Sequence, residues 1–192
     1  MDFMFLLSVL LPVAIGVGLI LYLASLYNRL YVLRNSTEAT LGQIRVAMKK
    51  RLDLIEQLVD AVKGYIQFER ETFEKIASMR SEMFKVRAED LRSVDRESRD
   101  ILGNILAVAE RYPDLKASTT VLKLMEAISD VEDEIARQRY TYNNVVQEFN
   151  IMQDTVPSRF VARAVGFSKI EYLRFEEEIE RRPSVEVWEQ KP

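Results

Sequence analysis

An uninterrupted apolar run at the N-terminus constrains this chain more than any other feature. Residues Phe3 to Leu26 include no charged side chain, and none occurs between Asp2 and Arg29. A helix of about 20 apolar residues, rising 1.5 Å per residue, crosses a hydrocarbon core of roughly 30 Å. The run lacks the basic flank and the small-residue cleavage site of a secretory signal peptide. We therefore predict that residues 1–27 form an uncleaved transmembrane anchor, with the lipid bilayer as a partner.

The basic residues that follow this run predict its orientation. Arg29 and Arg34 come soon after it, whereas the N-terminal flank has no Lys or Arg. Lys and Arg close to a spanning helix are retained on the cytoplasmic side. The sequence thus predicts a single-pass protein with its N-terminus outside and everything beyond about residue 28 in the cytoplasm.

The composition removes several classes of chemistry. The chain has no His and no Cys, so an imidazole base, a thiol nucleophile and a thiolate zinc site are excluded. The Glu-x-x-His motif of helical di-iron proteins is excluded for the same reason. A net charge of −3 lacks the basic excess of a nucleic-acid-binding protein. We expect a non-enzyme with no catalytic residue, metal or cofactor and no nucleic-acid partner.

An acidic run at residues 130–134 is a candidate cation site or a solvated helix face. Asp130, Glu132, Asp133 and Glu134 offer carboxylates that a hard cation prefers, but consecutive positions on a helix point around its axis and form no oxygen cage. We interpret this run as a solvated helix face.

Apolar side chains recur at three- and four-residue steps along most of the remaining chain, which indicates long amphipathic helices. The predicted fold is all-α: an N-terminal transmembrane helix followed by an antiparallel bundle of long helices at residues 28–157. Its helices are expected at about 28–86, 90–111 and 118–156, because Pro113 and Pro157 end helical segments. Whether the anchor continues directly into the first bundle helix is left open, since Asn35-Ser36-Thr37 could also cap a new helix.

The C-terminal part divides in two. Residues 158–182 are first apolar and then acidic, and residues 183–192 are expected to form a loose tail. Arg159, Arg163 and Lys169 lie among the apolar residues and could contact a membrane surface. We favour the alternative that this segment packs across one end of the bundle.

Three blocks in this order, behind a spanning segment, resemble the LemA family of bacterial membrane-anchored proteins. The first begins at Tyr27-Asn28-Arg29-Leu30 and continues through residues 50–59, 63–65 and 69–71. The second is Tyr112-Pro113-Asp114-Leu115-Lys116-Ala117-Ser118. The third runs from residues 128–136 to 142–150, followed by Pro157 and Gly166-Phe167.

This resemblance implies a helical bundle on an N-terminal anchor in the bacterial inner membrane, but it does not supply an enzymatic activity. It also marks family-motif or interaction positions: Tyr27, Asn28, Arg51, Asp53, Tyr65, Tyr112, Pro113, Tyr142 and Asn143. We favour the interpretation that the Tyr rings cap the core and that the Asn side chains satisfy neighbouring polar groups. Arg51 with Asp53, or Arg70 with Asp130, could be buried ionic partners, although exposed pairs are commoner.

The function expected from these features is that of a non-catalytic scaffold or interaction protein at the cytoplasmic face. It would assemble as a homo-oligomer and contact other membrane proteins. The alternative is a membrane-organising or lipid-binding protein that acts directly on the bilayer.

Overall fold

The structure is a computed structural model, and it describes residues 3–65 and 70–174. Six α-helices account for most of these residues: α1 (Phe3–Val62), α2 (Arg70–Glu82), α3 (Leu91–Arg111), α4 (Pro113–Lys116), α5 (Thr119–Asp154) and α6 (Ser158–Val165). Two short 3₁₀ helices, Met83–Lys85 and Ala88–Asp90, connect α2 to α3. The predicted all-α class is confirmed.

The apolar run and the first bundle helix are one continuous helix, α1, of 60 residues. The polar stretch after Leu33 does not interrupt it. The hydroxyls of Thr37 and Thr40 do not cap a new helix, because they donate to the carbonyls of Leu33 and Ser36 one turn earlier in the same helix. From Leu10 to Arg29 no side chain is buried. This part of α1 is long and apolar enough to cross a membrane.

The prediction of a single helix over residues 28–86 is wrong. Helix α1 ends at Val62 in a turn that contains Gly64, and α2 begins at Arg70 and folds back on α1. Ile76, Met79 and Met83 are buried after this reversal. Because α2 presents its stripe to the same core as α1, the apolar periodicity resumes beyond the turn and hides it.

The long helices form an antiparallel bundle, as predicted. Helix α5 runs against α1 in the opposite direction, since Arg29 pairs with Glu148 and Lys50 pairs with Glu134. Helix α2 is also antiparallel to α1, and α3 is parallel to α1. We call the end closest to the apolar part of α1 the near end, and the opposite end, where α1 turns and α4 lies, the far end.

Apolar side chains from the four long helices fill a main core. A second, smaller cluster lies at the near end and is called the near-end cluster: Leu30, Leu33, Phe149, Met152 and Ala162. It joins α1, α5 and α6. The bundle is therefore packed against α1 almost down to the residue where the apolar run stops.

The remaining boundaries lie close to the predicted ones. Helices α3 and α5 occupy the regions expected at 90–111 and 118–156, and Tyr112 ends α3 in an extended conformation before Pro113 opens α4. After α6 the chain runs along α5 without helix to residue 174. The predicted acidic segment beyond residue 174 and the loose tail at 183–192 lie outside the described residues.

Candidate functional site

A buried group of ionic side chains joins α1, α3 and α5 at the centre of the bundle. Arg51 on α1 is only 1% exposed. Its guanidinium nitrogen Nη1 lies 2.8 Å from Asp95 Oδ1 on α3 and 2.8 Å from Glu132 Oε1 on α5, and Nη2 donates to the Ser98 hydroxyl. Arg99 adds contacts of 3.0 Å to Asp95 and 2.7 Å to Glu132. These five residues are the central charge cluster.

The formal charges of this cluster balance, because two arginines face two carboxylates. The Ser98 hydroxyl donates onward to the Val94 carbonyl, 2.8 Å away. Charges removed from water are tolerated only when they are paired and hydrogen-bonded. The arrangement fixes the relative axial positions of three helices, since a shift along α1 would separate Arg51 from both partners.

Arg51 is a buried ionic partner, as one of the two alternatives had it, but it pairs with Asp95 and Glu132 and not with Asp53. Asp53 faces α2 and lies 2.5 Å from Arg80 Nε. The solvated-face interpretation of the acidic run is also wrong for Glu132, which is half-buried against Arg51, whereas Asp130 and Asp133 are exposed. The side chain of Arg70, proposed as a partner of Asp130, lies outside the described residues.

The sequence analysis does not predict Asp95 and Ser98 as part of this cluster, although their positions on α3 indicate burial. They are buried between Leu91 and Ile101 on the inner face of α3. Polar residues at positions that helical spacing assigns to an apolar stripe must find polar partners across the core. Arg51 shows the same feature on α1, because it lies between Met48 and Ile55 on a buried stripe.

Tyr142 and Asn143 occupy different environments on α5. Tyr142 is buried in the main core, and burial raises the pKa of its hydroxyl, with a further rise from nearby Glu38 and an opposing effect of Arg45. The side-chain amide of Asn143 donates a hydrogen bond to the Leu173 carbonyl and accepts one from the Leu173 N–H. The role of Asn143 agrees with the interpretation favoured from the sequence, whereas Tyr142 is buried inside the core and does not cap it.

The other predicted aromatic positions lie at opposite ends of the bundle. Tyr27 stacks with Tyr31 at the near end, with 6.2 Å between ring centroids, and Asn28 beside it is exposed. Tyr65 and Tyr112 meet at the far end with 5.6 Å between centroids, next to the exposed Pro113. The structure therefore spreads the predicted positions over three levels and does not gather them into one site.

Helix α6 presents a basic and apolar outer face at the near end. Arg159 and Arg163 are exposed on it, Phe160 between them is 63% exposed, and Val156 in the preceding loop is 71% exposed. Lys169, also exposed, is paired with an acidic residue, since its Nζ is 2.8 Å from Asp154 Oδ2.

The antiparallel packing sets the level of this face relative to the apolar run. The pair Arg29 and Glu148 marks one level. Asp154 lies six residues beyond Glu148, so at 1.5 Å per residue it is about 9 Å closer to the apolar run. The equivalent position on α1 is about Leu23, inside that run. The loop that carries Val156 thus reaches the level at which a spanning helix would enter the bilayer.

A second feature missed from the sequence is the binding of the chain after α6 by polar side chains of α5. Asn150 makes two hydrogen bonds to the backbone of Ile170, of 2.9 and 3.0 Å, and Gln153 donates to the Ser168 carbonyl at 3.2 Å. Asn150 lies seven residues after Asn143, two helical turns along one face. This spacing indicates two polar side chains on one helix face that can bind the same neighbouring segment. We call residues 167–174 the strap.

Comparison with known proteins identifies relatives of this chain. Residues 40–187 match the model of the LemA family. Protein LemA of Metamycoplasma hominis is 31% identical over 156 residues, which cover 80% of this chain and 71% of that protein. Magnetosome protein MamQ of Magnetospirillum gryphiswaldense is 31% identical over 72 residues, and Magnetosome protein MamQ 2 of Paramagnetospirillum magneticum is 33% identical over 73 residues. These two matches cover 38% of this chain and only 26% and 27% of the relatives.

Proposed function

The chain belongs to the LemA family, and from that membership and the geometry above we propose that it is a membrane-anchored, non-catalytic helical scaffold. It holds copies of itself and other membrane proteins at the cytoplasmic face of the bacterial inner membrane. The observation that carries this proposal is the continuity of α1, which runs without a break from the apolar segment into the bundle. A continuous helix transmits the position of its spanning part to the whole bundle.

The interior of the bundle supports a structural role over a catalytic one. The carboxylates Asp95 and Glu132 are each engaged by Arg51 and Arg99, so they are held as structural partners. The chain has no His or Cys to act as a base or nucleophile.

The surface supports contacts with other proteins. Tyr65 and Tyr112 expose 43% and 44% of their surface at the far end, and tyrosine is among the residues that dominate protein interfaces. An anchor confines these surfaces to two dimensions, which raises the effective concentration of weakly binding partners.

Cross-linking mass spectrometry of the full chain in its native membranes tests the scaffold proposal. We expect lysine links between copies that one bundle cannot make, together with links to other membrane proteins. Tyr65→Ala combined with Tyr112→Ala should reduce the far-end links several-fold, because the aromatic contact surface is removed. Tyr140→Ala is the matched control, since Tyr140 is 71% exposed on the side of α5. Only links within one copy, with no foreign links, would contradict the proposal.

A second candidate function, direct action on the bilayer, is favoured by the near end of the bundle. Val156 is exposed at the level of the apolar run, and Phe160, Arg159 and Arg163 are exposed on the helix that follows it. Apolar side chains flanked by basic ones are the composition of a surface that binds anionic lipid. In this proposal the near end inserts into the interface beside the anchor.

Single-cysteine variants test this membrane contact, because the native chain has no Cys. An environment-sensitive dye on Val156→Cys in anionic liposomes should shift its emission to the blue and be quenched by lipid-borne nitroxides. Tyr140→Cys is the control, since both native side chains are 71% exposed but Tyr140 lies about 20 Å further up α5 at 1.5 Å per residue. In intact cells, an impermeant thiol reagent should leave Tyr140→Cys unlabelled if the bundle is cytoplasmic.

Replacing the basic residues tests whether the near end binds anionic lipid or is only held close to the bilayer by the anchor. Arg159→Ala with Arg163→Ala should weaken quenching at position 156 in anionic but not in neutral liposomes. Lys169→Ala should have little effect, because Lys169 is already paired with Asp154. Equal quenching at positions 156 and 140 would exclude a specific membrane contact.

A further inference from the structure

The strap is held by a ladder of side-chain amides on one face of α5. The carboxamide of Asn150 donates to the Ile170 carbonyl and accepts from the Ile170 N–H, at 2.9 and 3.0 Å. Asn143 binds Leu173 in the same way, at 3.0 and 2.9 Å. Each asparagine thus pairs with the donor and the acceptor of a single backbone residue, as a neighbouring β-strand would.

The two repeats match in length. Asn143 and Asn150 are separated by seven residues of helix, or about 10.5 Å at 1.5 Å per residue. Ile170 and Leu173 are three residues apart, and three extended residues span about 9 to 10 Å. The strap is therefore close to fully extended and runs antiparallel to α5.

The apolar contacts of the strap also repeat every third residue. Phe167 packs edge-on against Phe149 with 5.8 Å between ring centroids, Ile170 is partly buried, and Leu173 is buried in the main core. The residues between them are exposed. A period of three is typical of the polyproline II conformation.

The four hydrogen bonds of the two asparagines, and the bond from Gln153 to the Ser168 carbonyl, all contact backbone groups of the strap. They therefore do not depend on which copy of the chain supplies the strap. The strap starts after Gly166, which has φ of 77° and is exposed, and such a left-handed position favours glycine. Exchange of an identical segment between two copies preserves the contacts of the strap with α5 and is a low-cost route to oligomers. The contact that changes is at the hinge, where the Phe167 N–H donates to the Ala162 carbonyl of its own α6.

We propose that the Asn143 and Asn150 face of α5 is a binding site for an extended polypeptide, and that neighbouring copies exchange their straps through it. This inference rests on the self-assembly in the proposed function. The occupant in exchange is residues 167–174 of a second copy, which already carries the required apolar spacing. Anchoring in one membrane raises the concentration of that second strap around each site.

Two single-cysteine proteins test the exchange, one with Asp154→Cys and one with Lys169→Cys. Asp154 on α5 and Lys169 on the strap contact each other, and neither residue makes the hydrogen bonds of the ladder. They carry different tags, are produced together in one membrane and are treated with a short bis-maleimide. We expect a cross-linked heterodimer. Tyr140→Cys produced with Lys169→Cys gives the background from random collision. Residue 140 lies 14 helical residues from residue 154, about 21 Å at 1.5 Å per residue, so a seated strap does not bring residue 169 close to it.

Removal of the ladder provides the second measurement. Asn143→Ala with Asn150→Ala in the Asp154→Cys copy should reduce the heterodimer about tenfold or more, since four hydrogen bonds to the strap are lost. Asn144→Ala, an exposed asparagine on the same helix, should leave it unchanged. A protein carrying both cysteines should form cross-linked multimers where straps are exchanged, and an intrachain link where a copy keeps its own strap.

The outcomes separate this inference from the scaffold proposal. Heterodimer no greater than the collision background, in membranes where lysine cross-linking shows self-association, would overturn exchange and leave the scaffold intact. Absence of both heterodimer and self-links would overturn exchange and self-assembly together. A heterodimer that persists after removal of both asparagines would show that the ladder does not bind the strap in trans.

Discussion

Arg51→Met is expected to lower the free energy of unfolding by about 3–5 kcal/mol, because it leaves two carboxylates inside the bundle without their main partner. Asp95 is buried and Glu132 is half-buried, so neither recovers full hydration when the guanidinium is removed. The measurement is urea unfolding of the full chain in detergent micelles, followed by circular dichroism.

A matched exposed ion pair is the control for this prediction. Arg80 contacts Asp53 and Glu56 between α2 and α1, but 44% of its side chain is exposed. Arg80→Met should therefore cost about 0–1 kcal/mol. Similar small losses for Arg51→Met and Arg80→Met would mean that the central charge cluster is hydrated and does not hold the helices in register.

Replacing the whole cluster distinguishes charge from shape. Arg51→Met combined with Asp95→Leu and Glu132→Met removes the buried charges together, and buried ion pairs replaced by apolar side chains are often neutral or stabilising. Arg99 is about a third exposed and can be hydrated. We expect the triple variant to regain most of the stability lost by Arg51→Met.

Phe149→Ala is the second variant with a large expected effect, a loss of about 3–5 kcal/mol for a buried aromatic side chain. Phe149 is 1% exposed, belongs to the near-end cluster and also contacts Phe167 of the strap. The resulting cavity loosens the attachment of α6 and the strap to α1 and α5. Phe84→Ala is the control, because Phe84 is 55% exposed and its removal should cost less than about 1 kcal/mol.

The position of the loss is as informative as its size. Hydrogen exchange in the Phe149→Ala protein should increase mainly in α6 and the strap, since these are the elements that the near-end cluster attaches. The far end, where Tyr65 contacts Tyr112, should keep its protection. A uniform increase over the whole bundle would contradict a separate near-end unit.

Features that depend on a single helix could be predicted from the sequence. The apolar run, the helical stripes and the extended residue before Pro113 follow from hydropathy, from the 3.6-residue period and from steric exclusion at the residue before proline. The family-like blocks predict Arg51 and Asn143 as interaction positions, because both residues lie within those blocks. Their partners were not found correctly from the sequence.

The sequence by itself determined that this chain is all-helical, that its N-terminal helix is apolar enough to cross a membrane and that its stripes need to pack against one another. Only the tertiary structure decided that the chain reverses near Gly64, that Arg51 meets Asp95 and Glu132, and that Asn150 binds the strap. The physical reason is that periodicity describes one helix at a time. Which residues meet depends on the axial shift between helices, and that shift is set by the packing of all of them at once.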